Sequence, residues 1–239
     1  MQLIEHFLSI QGEGKYVGHP SIFVRFASCN LRCPAFGVDD GENIGCDTTR
    51  AVYKNPSWQD ISYTELVKIV DSYPANIKNI ILTGGEPLLN HKNKDFIKFV
   101  EYLVQNNFHI TVETNATIKI DFDKYPIYKH IVFAMGVKLS NSGESEAKRI
   151  NIEAIHTIIS NSKESFLKFV CDEDVQINEK EIKKLLVKLP KCDVYCMPMG
   201  ITDIELNKVA LKLTKMCIKN NFNYTDRLHI RLWGNTEKT

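Results

Sequence analysis

No stretch of the 239 residues approaches the roughly 18 consecutive apolar residues of a membrane-spanning helix. Charge of one sign is missing too. Thirty basic and 29 acidic residues leave +1 at pH 7, too little for a global field that would draw nucleic acid or an anionic membrane. The opening "MQLIEHFLSIQGEG" carries an acid and no basic segment, so no secretory signal is expected there. Gly/Ser linkers, low-complexity tracts and fixed-period repeats are absent, which leaves no seam at which to divide the chain. Cysteine is present seven times, at 29, 33, 46, 171, 192, 196 and 217. An odd count without an export signal disfavours a disulfide scaffold. It favours metal binding or plain burial in a reducing, cytoplasmic setting.

What is present is an α/β pattern. Apolar, β-branched runs predict strands at 21–27, 79–83, 109–114, 130–135, 166–171, 193–197 and 228–232. Leu66, Ile69, Val70 and Tyr73 recur at helical spacing, as do Phe96, Phe99, Val100 and Leu103, and Ile182, Leu185, Leu186 and Leu189. A further helix is expected over 202–219. About six βαβ units predict one domain over 1–239, with a mostly parallel sheet that is either open or a partial barrel. Functional residues in such folds gather at the carboxyl ends of strands. "TGGEP" and "ETNA" fall there, and the first cysteines follow "FVRFA".

Those cysteines lie in "CNLRCPAFGVDDGENIGCDTT", spaced C-x3-C-x12-C. Three thiolates on a [4Fe–4S] cube leave one iron open to a ligand, whereas electron-transfer clusters usually take four cysteines. Structural zinc also takes four ligands, and Asp47 or a histidine could supply the last. Cys192 and Cys196 repeat the C-x3-C spacing within a strand-like run, where alternate residues share a face; these read as core thiols. Cys171 and Cys217 read the same way. "GGEP" alone is an ordinary strand-to-helix turn, although paired glycines also let a ligand approach the main chain.

The ordered set "FLSIQGEGKYVGHPSIFVRFASCNLRC", "CDTTRAVY", "ILTGGEPLLN", "VETNAT", "VKLSNSGE", "LKFVCD", "CMPMG" and "RLHIRLWGN" resembles the radical S-adenosylmethionine (SAM) enzymes. Within them it resembles the 7-carboxy-7-deazaguanine synthase family, over most of the chain. The resemblance implies an α/β fold of the partial (β/α)6-type barrel kind. The family pattern is C-x3-C-x2-C followed by "DT". Here "PAFGVDDGENIG", about 34–45, separates Cys33 from an intact "CDT", which implies an insertion of about ten residues with a closure cost of about 1–2 kcal/mol.

The resemblance further implies Cys29, Cys33 and Cys46 as cluster ligands. It implies Gly84, Gly85, Glu86, Glu113, Thr114, Asn115, Gly136 and Lys138 around SAM, and Thr48 as a Mg²⁺ ligand. The implied substrate is 6-carboxy-5,6,7,8-tetrahydropterin, held by Ile10, Gln11 and Gly12 through main-chain groups and the Gln11 amide, and by Glu13, Arg25 and Thr83. Arg25 interrupts an apolar strand, and a charge there is costly unless paired. A salt bridge would explain it, and so would a planar fork on the substrate carboxylate. Lys138, Glu13 and Thr48 likewise have plain readings as a solvated lysine, a loop acid and a capping threonine. The implied reaction is a radical ring contraction with loss of ammonia, giving 7-carboxy-7-deazaguanine, with a flavodoxin- or ferredoxin-type electron donor and a homodimer. The alternatives are another radical SAM enzyme, such as a glycyl-radical activase, a non-catalytic zinc module, or an inactive relative.

Overall fold

A strand's side chains alternate between two faces, so a charge inside an apolar strand marks the face that is not core. That rule organises this chain. The computed structural model describes residues 1–54, 57–234, 236 and 238. The chain order is β1 (Gln2–Ile10), β2 (Pro20–Phe26), β3 (Val38–Asp39), β4 (Ile44–Gly45), α1 (Thr49–Val52), β5 (Gln59–Asp60), α2 (Tyr63–Asp71), β6 (Asn79–Gly84), α3 (Lys94–Gln105), β7 (His109–Thr114), β8 (Val132–Met135), α4 (Glu146–Arg149), α5 (Ile152–Asn161), β9 (Glu164–Cys171), α6 (Val175–Leu186), β10 (Asp193–Pro198), α7 (Asp203–Asn220), β11 (Asn223–Tyr224) and α8 (Leu228–Trp233).

One sheet runs β11-β10-β9-β8-β7-β6-β2-β1-β5. From β2 to β11 every neighbour is parallel. β1 is antiparallel to β2, and β5 to β1. Among the described residues no ladder joins the two ends of the sheet, so it stays open.

The outer face carries Ile22, Val24, Phe26, Leu82, Val112, Phe133, Leu167 and Phe169. It packs on helix residues Leu66, Phe96, Phe99, Leu103, Ile155, Ile158, Ile182 and Leu213 in one buried cluster. The helix stops and starts have local causes. Ser62 and Glu65 form a reciprocal capping box on α2, Asn93 caps α3, and Thr202 with Glu205 boxes α7. The inner face alternates with the outer. It carries the stacked pair Phe7 and Phe23, then Arg25, Thr83, Glu113, Gly136, Lys168 and Met197.

Two expectations need correction. Residues 228–232 form a helix, not a strand. The apolar–basic alternation of "LHIRL" mimics period 2, but Arg231 N–H donates to Arg227 O at 3.2 Å and Gly234 N–H to Ile230 O at 2.9 Å. Of this segment only Ile230 is buried. The last sheet position goes instead to Asn223–Tyr224, directly after α7. At 130–135 the strand starts only at Val132, because Pro126–His130 makes a 3₁₀ turn. β1 and α5 were not anticipated from periodicity.

Phe99 is fully buried between α3 and the sheet, on the face away from the cavity. Phe99→Ala should cost about 3–5 kcal/mol, read from the denaturation midpoint by circular dichroism. A loss below about 1 kcal/mol would mean the outer layer is not the principal core.

Candidate active site

The inner face and the loops at the strand carboxyl ends enclose a cavity of ≈ 1090 Å³. Its wall includes Cys29, Cys33, Cys46, Thr48, Gly84, Gly85, Thr114, Asn115, Gly136 and Lys138. It also includes Ile10, Gln11, Gly12, Glu13, Arg25, Thr83 and Glu113. Residues spread over more than a hundred positions of sequence thus converge.

The thiol loop is fastened to the "GGEP" turn by backbone contacts. Gly85 N–H donates to Phe26 O at 3.2 Å and Glu86 N–H to Ser28 O at 2.7 Å. A Cβ on Gly84 would meet Phe26 O at 2.0 Å, and one on Gly85 would meet Ser28 O at 2.1 Å. Both glycines are therefore required by close packing of two backbones, whatever the ligand. Cys29 Sγ accepts from Leu31 N–H at 3.4 Å and lies 3.9 Å from Asn115 Nδ2. Arg32 and Cys33 N–H groups both donate to Glu144 Oε1, at 2.6 and 3.3 Å, which turns Cys33 into a left-handed conformation with φ 49°. Cys46 Sγ lies 3.3 Å from the Thr48 hydroxyl.

Burial pushes the Cys29 thiol up to about 11 and Cys33 to about 12, against the pull of the nearby Lys138 ammonium on both. Without iron these thiols stay protonated, and binding it would release protons. Among the described residues no three His, Cys, Asp or Glu side chains are gathered tightly enough to close on a single ion. The three thiols share one cavity. Asp47, considered above as a zinc ligand, is instead ion-paired with Arg227.

Of the residues expected around SAM, Glu113 is bonded to Gln11, Thr83 and Lys168 on the substrate side, and Glu86 does not face the cavity. It is fully buried and absent from the cavity wall. Its carboxylate accepts from Leu88 N–H at 3.0 Å, the Thr114 hydroxyl at 2.8 Å and Asn115 N–H at 2.7 Å. Burial raises it to about 7, and these three donors pull the other way. It clamps the β6 and β7 loops together. The main-chain role expected of Gln11 also needs correction. Its N–H donates to His19 O at 2.9 Å and its carbonyl accepts from Gly18 at 2.8 Å, while its amide donates to Glu113 at 3.2 Å and accepts from Glu13 N–H at 3.2 Å. The Gly12 carbonyl accepts from Leu228 N–H at 2.9 Å.

A family profile described as "4Fe-4S single cluster domain" matches residues 10–159. The 7-carboxy-7-deazaguanine synthase of Halobacterium salinarum is 31% identical, across 98% of this chain and 91% of that protein. The one from Aquifex aeolicus is 34% identical, across 91% and 85%. The chain belongs to the 7-carboxy-7-deazaguanine synthase family. Its fold matches the crystal structure of QueE from Escherichia coli with a TM-score of 0.68 at 19% identity, over 95% of this chain and 94% of that one. A radical SAM methyltransferase from Sphaerobacter thermophilus gives a TM-score of 0.55 at 15% identity, over 90% and 68%.

In this member of the 7-carboxy-7-deazaguanine synthase family, the inner wall also holds charges that sequence reasoning missed. Lys168 is 8% exposed and Arg227 7%. Lys168 Nζ contacts Glu13 Oε2 at 2.6 Å and Glu113 Oε1 at 3.5 Å. Glu113 also accepts from Gln11 Nε2 at 3.2 Å and from Thr83 at 3.0 Å. Arg227 Nε donates to Glu13 Oε1 at 3.0 Å. Lys168 had a signal: "FLKFV" breaks an apolar strand with a base, as "FVRFA" does at Arg25. Arg25 Nε donates to Glu5 Oε1 at 2.8 Å. Among the described residues its terminal amino groups have no partner.

Burial opposes ionisation of Glu13, but Lys168 and Arg227 outweigh it and hold the acid well below its ordinary 4.5. Such a group stabilises the fold above 4.5 and loses that contribution as pH falls through its folded-state value. Glu13→Gln should therefore cost about 3–5 kcal/mol at pH 7, by leaving two buried cations underpaired. The gap between the variant and the unaltered protein should close as pH drops below 4.5 in denaturation curves. A gap independent of pH would refute the ionised, bridging role of Glu13.

Proposed function

We infer that this chain converts 6-carboxy-5,6,7,8-tetrahydropterin to 7-carboxy-7-deazaguanine with loss of ammonia, as a radical SAM enzyme. The observation that carries this reading is convergence: the three cysteines, Thr48 and the partly unpaired Arg25 guanidinium line one cavity. The chain is read as one radical SAM domain, 1–239, with Pro34–Gly45 inserted in the cluster loop.

Cys29, Cys33 and Cys46 would hold the [4Fe–4S] cluster, whose open iron would take SAM. The cluster and SAM supply a 5′-deoxyadenosyl radical that starts the rearrangement. The protein's own contribution is positional. Gly85, Thr114, Asn115, Gly136 and Lys138 lie on the thiol side of the cavity and would border SAM. The free ends of Arg25 suit a bidentate hold on the substrate carboxylate, since Glu5 fixes the guanidinium at Nε. Thr48 would share a Mg²⁺ ion with that carboxylate and water, oxygen ligands being what a hard cation takes. The Gln11 amide, the Thr83 hydroxyl and the Glu113 carboxylate form one hydrogen-bonded edge suited to a pterin's donors and acceptors. A flavodoxin- or ferredoxin-type donor would supply the electron, and the chain would act as a homodimer in the cytoplasm.

The test is anaerobic reconstitution with iron and sulfide, then assay with SAM, reductant, Mg²⁺ and the carboxypterin. Cluster absorption and deazapurine formation are expected. A cluster that cleaves SAM without deazapurine would sink the substrate assignment and favour another radical SAM activity. A colourless protein holding zinc would favour the zinc module.

The insertion gives a second test. It folds as a 3₁₀ turn, Pro34–Phe36, and the β3–β4 hairpin. Replacing residues 34–45 with a two-residue spacer should preserve iron binding. Loss of iron in that variant would mean the hairpin helps to build the site.

A further inference from the structure

Arg227 touches three separate segments at once. Its Nε donates to Glu13 beside the "QGEG" turn at 3.0 Å and its Nη1 to Gly200 O after β10 at 2.7 Å. Its Nη2 pairs with Asp47. Asp47 stands between Cys46 and Thr48, and all three line the cavity. Among the described residues no strand ladder includes Cys46–Thr48. Backbone bonds tie Ala51 to Thr48 and Ser28, and Arg50 Nη2 pairs with Glu5 at 2.7 Å on β1.

We propose that Arg227 is a positioning residue that holds the Cys46–Thr48 segment across the cavity through Asp47, and so fixes where the third thiol and the Thr48 hydroxyl stand. This rests on the reading of Cys46 as a cluster ligand. A guanidinium suits the task because its rigid planar fork spreads donors in fixed directions toward three acceptors, whereas a lysine brings its donors to a single compact ammonium. Glu13 completes it, since the same carboxylate also binds Lys168 and keeps the cation fixed. Outer partners of a metal ligand set its orientation in this way.

α8 also has seating contacts that do not use the Arg227 side chain. Leu228 N–H donates to Gly12 O at 2.9 Å, and Gly14 N–H to the Thr225 hydroxyl at 2.9 Å. The neighbouring Arg231, one turn on, binds Asp226, Asp203 and Asn207 and does not reach Asp47. Arg231→Met is therefore the control for disturbing the same helix.

The experiment compares Arg227→Met, Arg227→Lys, Asp47→Asn, the Arg227→Met/Asp47→Asn double variant and Arg231→Met with the unaltered protein. Amide hydrogen exchange over residues 46–52 is measured in the iron-free protein, and iron loss to a chelator in the reconstituted one. Arg227→Met should raise exchange in that segment and speed iron loss about 10- to 100-fold. Asp47→Asn should match it, the double variant should add little, Arg227→Lys should recover part, and Arg231→Met should leave both readings unchanged. Unaltered exchange and iron retention in Arg227→Met would overturn the proposal. So would equal losses in Arg231→Met, which would reduce the effect to helix docking, or additive losses in the double variant. Failure of the unaltered protein to assemble a cluster would sink the functional reading instead, and the exchange data would still decide the role of Arg227.

Discussion

The Glu13 carboxylate, held between Lys168 and Arg227, is the contact on which the cavity depends. Two cations on the inner side of a sheet could not stay there alone, because a buried unpaired charge costs several kcal/mol. One oxygen faces each cation. From that bridge the polar chain runs one way through Lys168 to Glu113, Gln11 and Thr83, and the other way through Arg227 to Asp47. The charges alternate in sign along it, so each is stabilised by its neighbours. A cavity with such a wall can stay polar and still be walled off from solvent, as radical chemistry on a bound substrate demands.

A second constraint sets the opposite side. The "GGEP" turn and the thiol loop lie backbone against backbone, at distances only glycine tolerates. Glu86 then draws the β7 loop onto the same turn through Thr114 and Asn115. Asn115 in turn reaches Asn30 and Cys29. Three strand ends are thus joined around one thiol by hydrogen bonds to a single buried acid. This is why Glu86 belongs to the site without facing it, and why a motif shared by SAM-binding sequences can be kept for packing as much as for contact.

The parallel sheet, its helices and most of the cavity wall were legible because they are written in local periods. Apolar, β-branched runs marked β2, β6, β7, β8, β9 and β10, and helical spacing marked α2, α3 and α6. The failures are of two kinds. "LHIRL" satisfies period 2 by chance, and only its contacts with Gly12 and the helical bonds at Arg231 and Gly234 reveal a helix. Partnership is the other gap. Glu13 and Arg227 are 214 positions apart, and no local pattern encodes that pairing. Arg25 was singled out because a base sits in an apolar strand. Lys168 obeys the same rule in β9 and was as readable.

The wide gap between Cys33 and Cys46 shows what the chemistry does and does not constrain. Cys33 is fixed by Glu144 from one side and Cys46 lies beside Thr48, whose neighbour Asp47 meets Arg227 from the other. Each thiol thus has its own tether outside residues 34–45. The intervening residues close on themselves, with Val38 and Asp39 paired to Gly45 and Ile44. A hairpin that returns to its starting point leaves the spatial separation of its ends almost independent of its length, and its entropy cost grows only logarithmically. Phe36, placed under the Lys138 ammonium with the cation 5.6 Å from the ring, lies inside the cavity as a consequence. Sequence spacing between thiols is therefore a poor guide to a site whose thiols are positioned separately, and the partners of each thiol are the better one.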